Sequence, residues 1–405
     1  MQKRDTLVCY VPVFPQNSET FILNKCIGLD KRGWNIHIIC DVHNKKAWEY
    51  LNQQDNAGLL PTRVFQNFPH KPAWKAALYF LPVLIGLFIK RPVVFTRYII
   101  RGHKSFGWNI FKKVYLDARI ILLAPDVIHY EFGGLAREKI YLARLLQCKA
   151  VVSFRGSDIN ISGVEKSEYY KEVFQTSHAM HFLGTSLYQQ ALKRGMTQSK
   201  KYVLIPPAID CDFFSPSSTS DYLPGLRPLR LLSISRLHWV KGLEYSIQAI
   251  WILCQRNIQV TYDIIGDGTY FEVLAYCIHQ YGLNNIITLS GYHSPNEAKK
   301  KLQSADIFLH PSVSEGFCNS VIESQAMQTP VICSDAGGLS ENVIHNHTGI
   351  IVPRRDPSAI ADAVMMFSKQ PSFINQMGKR GRERIVSQFF IKDQISKFEE
   401  LYKSL

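Results

Sequence analysis

The stretch Ser312–Glu323, S-V-S-E-G-F-C-N-S-V-I-E, carries two carboxylates eight positions apart, Glu315 and Glu323. An apolar run, Ala305–His310, precedes it, Pro311 ends that run, and Asn319–Met327 has a helical pattern. The order predicts a strand, a tight loop holding Gly316, and a helix N-terminus. Such a terminus offers unpaired backbone N–H groups and the positive end of a dipole to an anion. Carboxylates only accept hydrogen bonds and so suit hydroxyls, whereas N–H groups suit phosphate. A loop Glu, a helix start carrying Gly316, Phe317, Cys318 and Asn319, and a helix Glu could hold, in turn, a sugar, a diphosphate and a ribose diol. Those are the parts of a nucleotide diphosphate sugar. A solvated loop and an exposed helix would give the same two glutamates, so the other motifs must decide.

Three motifs bear on that decision. Ser235-Arg236-Leu237 and then Lys241-Gly242 follow a predicted strand, Leu229–Ile234. Two cations there, ahead of a helix, are placed to neutralise a diphosphate. Gly266-Asp267-Gly268 closes the next strand; it is a tight turn that could line a nucleotide site. It is not a dinucleotide fingerprint, because position 271 is Phe. Gly337-Gly338, then Glu341 and Asn342, follow the predicted strand Pro330–Cys333, and a diglycine permits close backbone approach. Each motif alone also fits an ordinary surface loop.

The elements that must position these residues alternate. Leu7–Val13, a helix Glu19–Lys31 capped by Ser18, and Asn35–Cys40 form a β-α-β unit. Val93–Thr96, Val127–His129, Ala150–Phe154 and Tyr202–Ile205 are further predicted strands, with helices at Arg137–Leu146, Ser167–Thr176 and Ser186–Arg194. Periodicity fails over residues 206–228, rich in Pro, Ser and Asp, which reads as a linker. The rhythm then resumes to the end of the chain. We expect an α/β architecture of two Rossmann-like, doubly wound domains facing a cleft, spanning residues 1–205 and 229–390, with a final helical segment, 391–405. Ligands of such sheets sit at the carboxyl ends of the strands.

The chain of 405 residues has a net charge of +14. Residues 1–205 hold 29 Lys/Arg and 14 Asp/Glu, so the whole excess lies in the first half. An anionic partner is expected there: a membrane surface, a lipid-linked phosphate or a nucleic acid. No helix-turn-helix, RRM or finger pattern supports nucleic acid. A basic surface kept for solubility would look the same. The apolar segment Trp74–Ile89, flanked by Lys71, Lys75, Lys90 and Arg91, is too short to span a bilayer and is interrupted by Pro82. It reads equally as a core helix or as an interfacial segment with snorkelling cations. The first residues show no secretory leader pattern, and nine cysteines without a C-x-x-C pair point to a reducing cytosol.

Taken in order, S-R-L-x-x-x-K-G, G-D-G, E-G-F-x-N-x-x-x-E and G-G-x-x-E resemble the GT-B glycosyltransferases of family 4, over roughly residues 205–352. Phe14–Asn24 (F-P-Q-N-S-E-T-F-I-L-N) and Pro125–Gly134 (P-D-V-I-H-Y-E-F-G-G) are similar to the branch that includes colanic acid, exopolysaccharide and lipopolysaccharide transferases. The resemblance implies a nucleotide-sugar donor in the C-terminal domain, an acceptor in the N-terminal one, retention of anomeric configuration and no bound metal. It implies that Arg236 and Lys241 hold the diphosphate, and that Glu315 and the Gly316–Phe317 backbone meet the sugar. Glu323 would hold the ribose, with Gly266, Gly337 and Gly338 lining the site. It also implies a last helix, Lys392–Ser404, that crosses back to the first domain. Without a metal, the cations and the helix N-terminus would stabilise the leaving group. The departing phosphate oxygen could take the acceptor's proton, so no protein base is required.

Two departures stand out. The family's H-G-x-D element reads R-G-S-D here, putting Arg155 where a His is usual, and the second His of H-x-H is Glu131. His129, Arg155 and Asp158 remain candidates for catalytic roles. The expected activity is transfer of a hexose-type sugar from a UDP- or GDP-linked donor to a lipid-linked or cell-surface polysaccharide precursor. Neither a metal nor another cofactor is expected. The expected location is the cytoplasmic face of a membrane, held peripherally. The competing readings are a soluble acceptor and a catalytically weak donor-binding partner subunit. A GT-B epimerase is a third, against which E-G-F-x-N-x-x-x-E speaks.

Overall fold

Short apolar runs buried on both faces make up the inner strands of both sheets, as expected where helices cover each side. The computed structural model describes residues 5–16, 20–52, 63–67, 73–217, 222–223 and 226–405. It divides into two units. One comprises Met1–Phe182, Tyr188–Ile205 and Gln394–Leu405; the other comprises Leu183–Leu187 and Pro206–Asp393.

The first unit holds seven strands: β1 (Thr6–Phe14), β2 (Asn35–His43), β3 (Val64–Gln66), β4 (Val127–Tyr130), β5 (Lys149–Phe154), β6 (Ala179–Phe182) and β7 (Tyr202–Leu204). They lie in the order β3-β2-β1-β4-β5-β6-β7, parallel throughout. The second unit holds β8 (Leu229–Ile234), β9 (Val260–Ile265), β10 (Ile287–Gly291), β11 (Ile307–His310), β12 (Val331–Ser334) and β13 (Gly349–Val352). Their order is β10-β9-β8-β11-β12-β13, again all parallel. In each sheet the strand order reverses beside the first strand, between β1 and β4 and between β8 and β11. Doubly wound sheets bind ligands outside the carboxyl ends of the strands at such points.

The composition-based linker is tied to the second unit. Arg382 donates to the Phe214 carbonyl (2.8 Å) and the Ala326 carbonyl (2.6 Å), and Ile209 pairs with Phe390 in a parallel bridge. The last helix, Ile391–Lys403, contributes its residues from Gln394 onward to the first unit. Gly28 makes room for it: a Cβ there would sit 2.1 Å from Ile395 Cδ1.

One strand assignment is corrected. Val93–Thr96 lies in a helix, Pro92–Phe106. The β-branched run V-V-F-T reads as strand, but Pro92 occupies the first turn, where its missing N–H costs nothing. Tyr98 and Gly102, one turn apart, are the buried positions, which is helical spacing. Trp74–Ile89 falls within the helix Ala73–Lys90, with Pro82 inside it. The capping role read for Ser18 lies outside the described residues.

Candidate active site

Glycines let four loops of the second unit close on one another. Gly242, at φ +60°, would place a Cβ 2.5 Å from the Pro311 carbonyl oxygen. This close approach, with Val313 N–H donating to the Val240 carbonyl at 2.9 Å, brings the Lys241 loop against the Glu315 loop. Gly266 and Gly268 likewise abut the Ser235 and Leu237 carbonyls, where a Cβ would stand 1.8 and 2.2 Å away. Ser235 and Leu237 donate across to the Ile265 and Asp267 carbonyls at 3.0 and 2.8 Å. The G-D-G turn is thus a backbone seam that fixes the S-R-L loop. Gly338 would place a Cβ 1.9 Å from the Gly316 carbonyl oxygen, and its N–H donates to the Glu315 carbonyl at 3.1 Å. Gly337, at φ +53°, abuts that same Glu315 carbonyl. The diglycine therefore fixes Glu315 and Gly316 from the side opposite Lys241's loop in sequence.

Lys241, Glu315 and His310 form the charged centre. The Lys241 ammonium pairs with the Glu315 carboxylate, and His310 Nε2 lies 3.1 Å from the same carboxylate oxygen. Ser312 Oγ is 3.0 Å from His310 Nε2, and Cys318 Sγ is 3.8 Å from His310 Nδ1. Burial resists ionisation of Glu315, but the Lys241 ammonium and His310 outweigh it and hold the carboxyl at about 2. Burial also resists the charge on His310, yet Cys318 and Glu315 push its pKa up to about 9. The Cys318 thiol is lowered: burial opposes this, and His310 overcomes it. Arg236 is exposed beyond the end of β8, near enough to repel the Lys241 charge. Beside it, Ser235 Oγ is buried with no hydrogen-bond partner among the described residues.

Eight positions past Glu315, Glu323 is half-buried on the helix Asn319–Ala326, and burial pushes its carboxyl up to about 7. Asn342 clamps the start of that helix: its side chain accepts from Cys318 N–H and donates to the Cys318 carbonyl, both at 3.1 Å. Phe317 packs against Phe389, with ring centroids 5.7 Å apart, in an apolar cluster with Ile322 and Ile385. Thus Arg236, Lys241, Glu315, Gly316, Cys318, Asn319, Glu323, Gly266, Gly337 and Gly338 all belong to loops and helix starts at the carboxyl ends of β8, β9, β11 and β12. Sequence reasoning missed His310 as the partner of Glu315, because it closes an apolar strand. It also missed how Asn342 works, although the G-G-x-x-E-N run marks its position.

Among the described residues, His310, Glu315 and Cys318 bring three ligand-type atoms within 4.8 Å of one another. Lys241 already lies on the Glu315 carboxylate, and its charge opposes a cation at that point.

In the first unit the two departures meet. Arg155 Nη2 donates to Glu131 Oε2 at 3.2 Å, and the buried Lys25 ammonium pairs with the other carboxylate oxygen. The Arg155 guanidinium also lies over Phe21, 4.2 Å from the ring centroid. Two cations thus share one carboxylate at the ends of β4 and β5. Burial disfavours the Lys25 charge, but Glu131 more than restores it. His129 is wholly buried, with Lys25 Nζ at 3.2 Å and the Tyr402 hydroxyl at 2.5 Å from Nδ1, and Ser153 Oγ at 2.7 Å from Nε2. Ser153 leads on to His181, and His181 to the Ile205 carbonyl, at 2.7 and 2.8 Å. Burial, then Lys25 and Arg155, hold His129 well below the usual imidazole range. Asp158 accepts from the Arg155 and Gly134 N–H groups at 2.9 and 3.0 Å, so its carboxylate ties the two loops together.

Comparison with known proteins accords with this arrangement. Residues 222–384 match the family described as Glycosyl transferases group 1. The amylovoran biosynthesis glycosyltransferase AmsK of Erwinia amylovora is 26% identical over 398 residues, 95% of each chain. A GDP-mannose-dependent alpha-(1-6)-phosphatidylinositol monomannoside mannosyltransferase of Mycobacterium tuberculosis is 30% identical over 198 residues, 46% of this chain and 51% of its own. The fold matches that of HepE from Anabaena, solved with UDP and glucose, at a TM-score of 0.74 and 14% identity over 99% of this chain and 100% of that one. The chain is a glycosyltransferase of GT-B architecture, and residues 222–384 form its group 1 domain.

Proposed function

We propose that the protein transfers a hexose-type sugar, with retention, from a nucleotide diphosphate sugar to a lipid-linked precursor of a surface polysaccharide. The observation that carries this reading is the Lys241–Glu315–His310 centre at the switch point of the second sheet. There an ammonium suited to a diphosphate stands beside a carboxylate suited to sugar hydroxyls, which supports the reading, and the helix Asn319–Ala326 begins in the same loop. Glu323, a further turn along that helix, is the ribose acceptor. Arg236, Lys241 and the helix start stabilise the leaving diphosphate, and the departing oxygen takes the acceptor's proton. No metal is assigned a role. The names of the similar proteins support both parts: one is a GDP-mannose-dependent phosphatidylinositol monomannoside mannosyltransferase, and another belongs to amylovoran synthesis.

The Glu131–Arg155 pair favours an active enzyme over a weak partner subunit. The two unusual residues complete one ion pair, rather than leaving a site stripped of its histidines. Acceptor binding belongs to the first unit, the basic half of the chain.

A thermal-shift panel of UDP, GDP, ADP and their sugars, with and without Mg²⁺, tests the reading. A ligand that binds only the folded protein must raise the midpoint. Stabilisation by one nucleotide family without metal is the expected result. No shift from any member would overturn the donor-site assignment.

A further inference from the structure

From Asn56 to Leu116 the sequence contains no Asp or Glu, while it contains ten Lys/Arg. The next acid, Asp117, faces inward: it is fully buried and accepts from the Tyr98 and Tyr141 hydroxyls, each at 2.7 Å. Nothing acidic within this stretch offsets its positive charge.

The same stretch presents apolar side chains outward. Its helices Ala73–Lys90 and Pro92–Phe106 are joined by Arg91 alone. On the first, Leu81, Ile85, Phe88 and Ile89 recur at helical spacing and are exposed, Ile89 to 71%. On the second, Val93 is 66% exposed and Ile100 is exposed as well. Trp108, just beyond, is 80% exposed and stacks on Phe111. A shallow hollow of about 560 Å3 runs along the outer face of the second helix, lined by Pro92, Val93, Thr96, Arg97, Ile100 and Arg101. The inner faces are satisfied separately, for example by Gly102 against Ile110 and Leu145. Isolated exposed apolar residues need no account, but a cluster of this kind with a cationic border marks an interaction surface.

The charge decides what covers it. A second copy of the chain would bring two acid-free, cationic faces together, which repel. Neither helix, nor any other among the described residues, is long and apolar enough to cross a membrane. An anionic bilayer offers hydrocarbon to the apolar side chains, an interfacial level that suits Trp, and phosphates to the guanidinium and ammonium groups. We propose that the corner between the helices Ala73–Lys90 and Pro92–Phe106, with Trp108, is the surface by which the protein docks on an anionic lipid bilayer. The inference deepens the lipid-acceptor reading and rests on it for its purpose, though its geometry is independent of the donor site.

The test is co-sedimentation of the full chain with phosphatidylcholine vesicles, with and without phosphatidylglycerol, across a salt series. Binding to the phosphatidylglycerol vesicles that falls with salt is expected. The double substitution Lys90→Gln/Arg97→Gln should weaken it about 30-fold, since each cation near an anionic surface is worth on the order of a fivefold gain. Ile89→Ser/Val93→Ser, at exposed positions, should reduce binding by about 100-fold or more with an unchanged thermal midpoint. Absence of wild-type binding, or variants that sediment like wild type, would overturn the proposal. So would a dimer in solution that Ile89→Ser/Val93→Ser dissociates, for the face would then be a self-association surface. Nucleotide-induced thermal shifts, measured without vesicles, should survive in both variants. Their loss in the wild type would instead count against the transferase site.

Discussion

At the scale of single residues, the proposed donor site places most of its expected binding on a few charges. Lys241→Ala should weaken nucleotide binding by roughly 1.5–3 kcal/mol, the range for hydrogen bonds to charged groups. Glu315→Ala should abolish turnover while most nucleotide affinity remains; titration calorimetry alongside a sugar-release assay separates the two effects. Glu323 supplies a pH signature. Its carboxyl is raised to about 7, and only the ionised form can accept from both hydroxyls of a ribose diol with its two oxygens, because protonation turns one oxygen into a donor. Nucleotide affinity should therefore be nearly full at pH ~8, reach about half at pH ~7 and fall about tenfold between pH ~8 and ~6. Glu323→Gln should flatten that profile; a wild-type affinity that does not change with pH would remove Glu323 from the ribose. In the first unit, Glu131→Gln leaves the buried Lys25 and the half-buried Arg155 without their carboxylate and should cost about 3–5 kcal/mol in a denaturant titration. Arg155→Gln should cost less, because Lys25 still neutralises Glu131.

At the scale of elements, the glycine seams are the device that brings these residues together. Gly338→Ala must move the Gly316 backbone, which cannot yield as a side chain would. A loss on the order of 3 kcal/mol is expected, at the upper end for overpacking. Gly86→Ala, in a helix with open space around the added methyl, should be neutral or stabilising by up to about 1 kcal/mol. Elements of the second unit were legible where their signals were unmixed. Leu229–Ile234 reads to the residue, because its apolar run and the Pro228 boundary agree there. The region after Arg91 was not legible. Its helices carry β-branched and aromatic residues on outward as well as inward faces, so neither period stands out, and Val93–Thr96 was read as a strand. For the site, the motifs gave residue types and order. They could not give the Glu131–Arg155 pairing, which depends on β4 and β5 lying side by side.

At the scale of the whole molecule, the last twelve residues are needed by the first unit. Phe398 packs on His181 at 4.9 Å between ring centroids, and Tyr402 reaches His129. Phe398, Leu401 and Tyr402 are all buried. Removing Gln394–Leu405 exposes their binding surface and strips partners from Lys25 and His129. Each lost apolar side chain is worth about 1.5–3 kcal/mol, so the midpoint of the truncated chain should drop by more than about 10 °C. A truncated chain that melts like the full one would show that this helix is dispensable.

Lys241 and Glu315 neutralise each other in the resting protein, and that has a consequence for what the enzyme lets go. On the donor site proposed above, a bare diphosphate would draw the ammonium away from the carboxylate that His310 also meets. An intact donor makes good that loss by presenting hydroxyls at the same moment. The pair therefore acts as an interlock that opens fully only to both halves of the donor together. Once the sugar has left, closure of the interlock competes with the spent nucleotide for Lys241. On that reading, the contact that holds Lys241 in the empty protein would also help to expel the product.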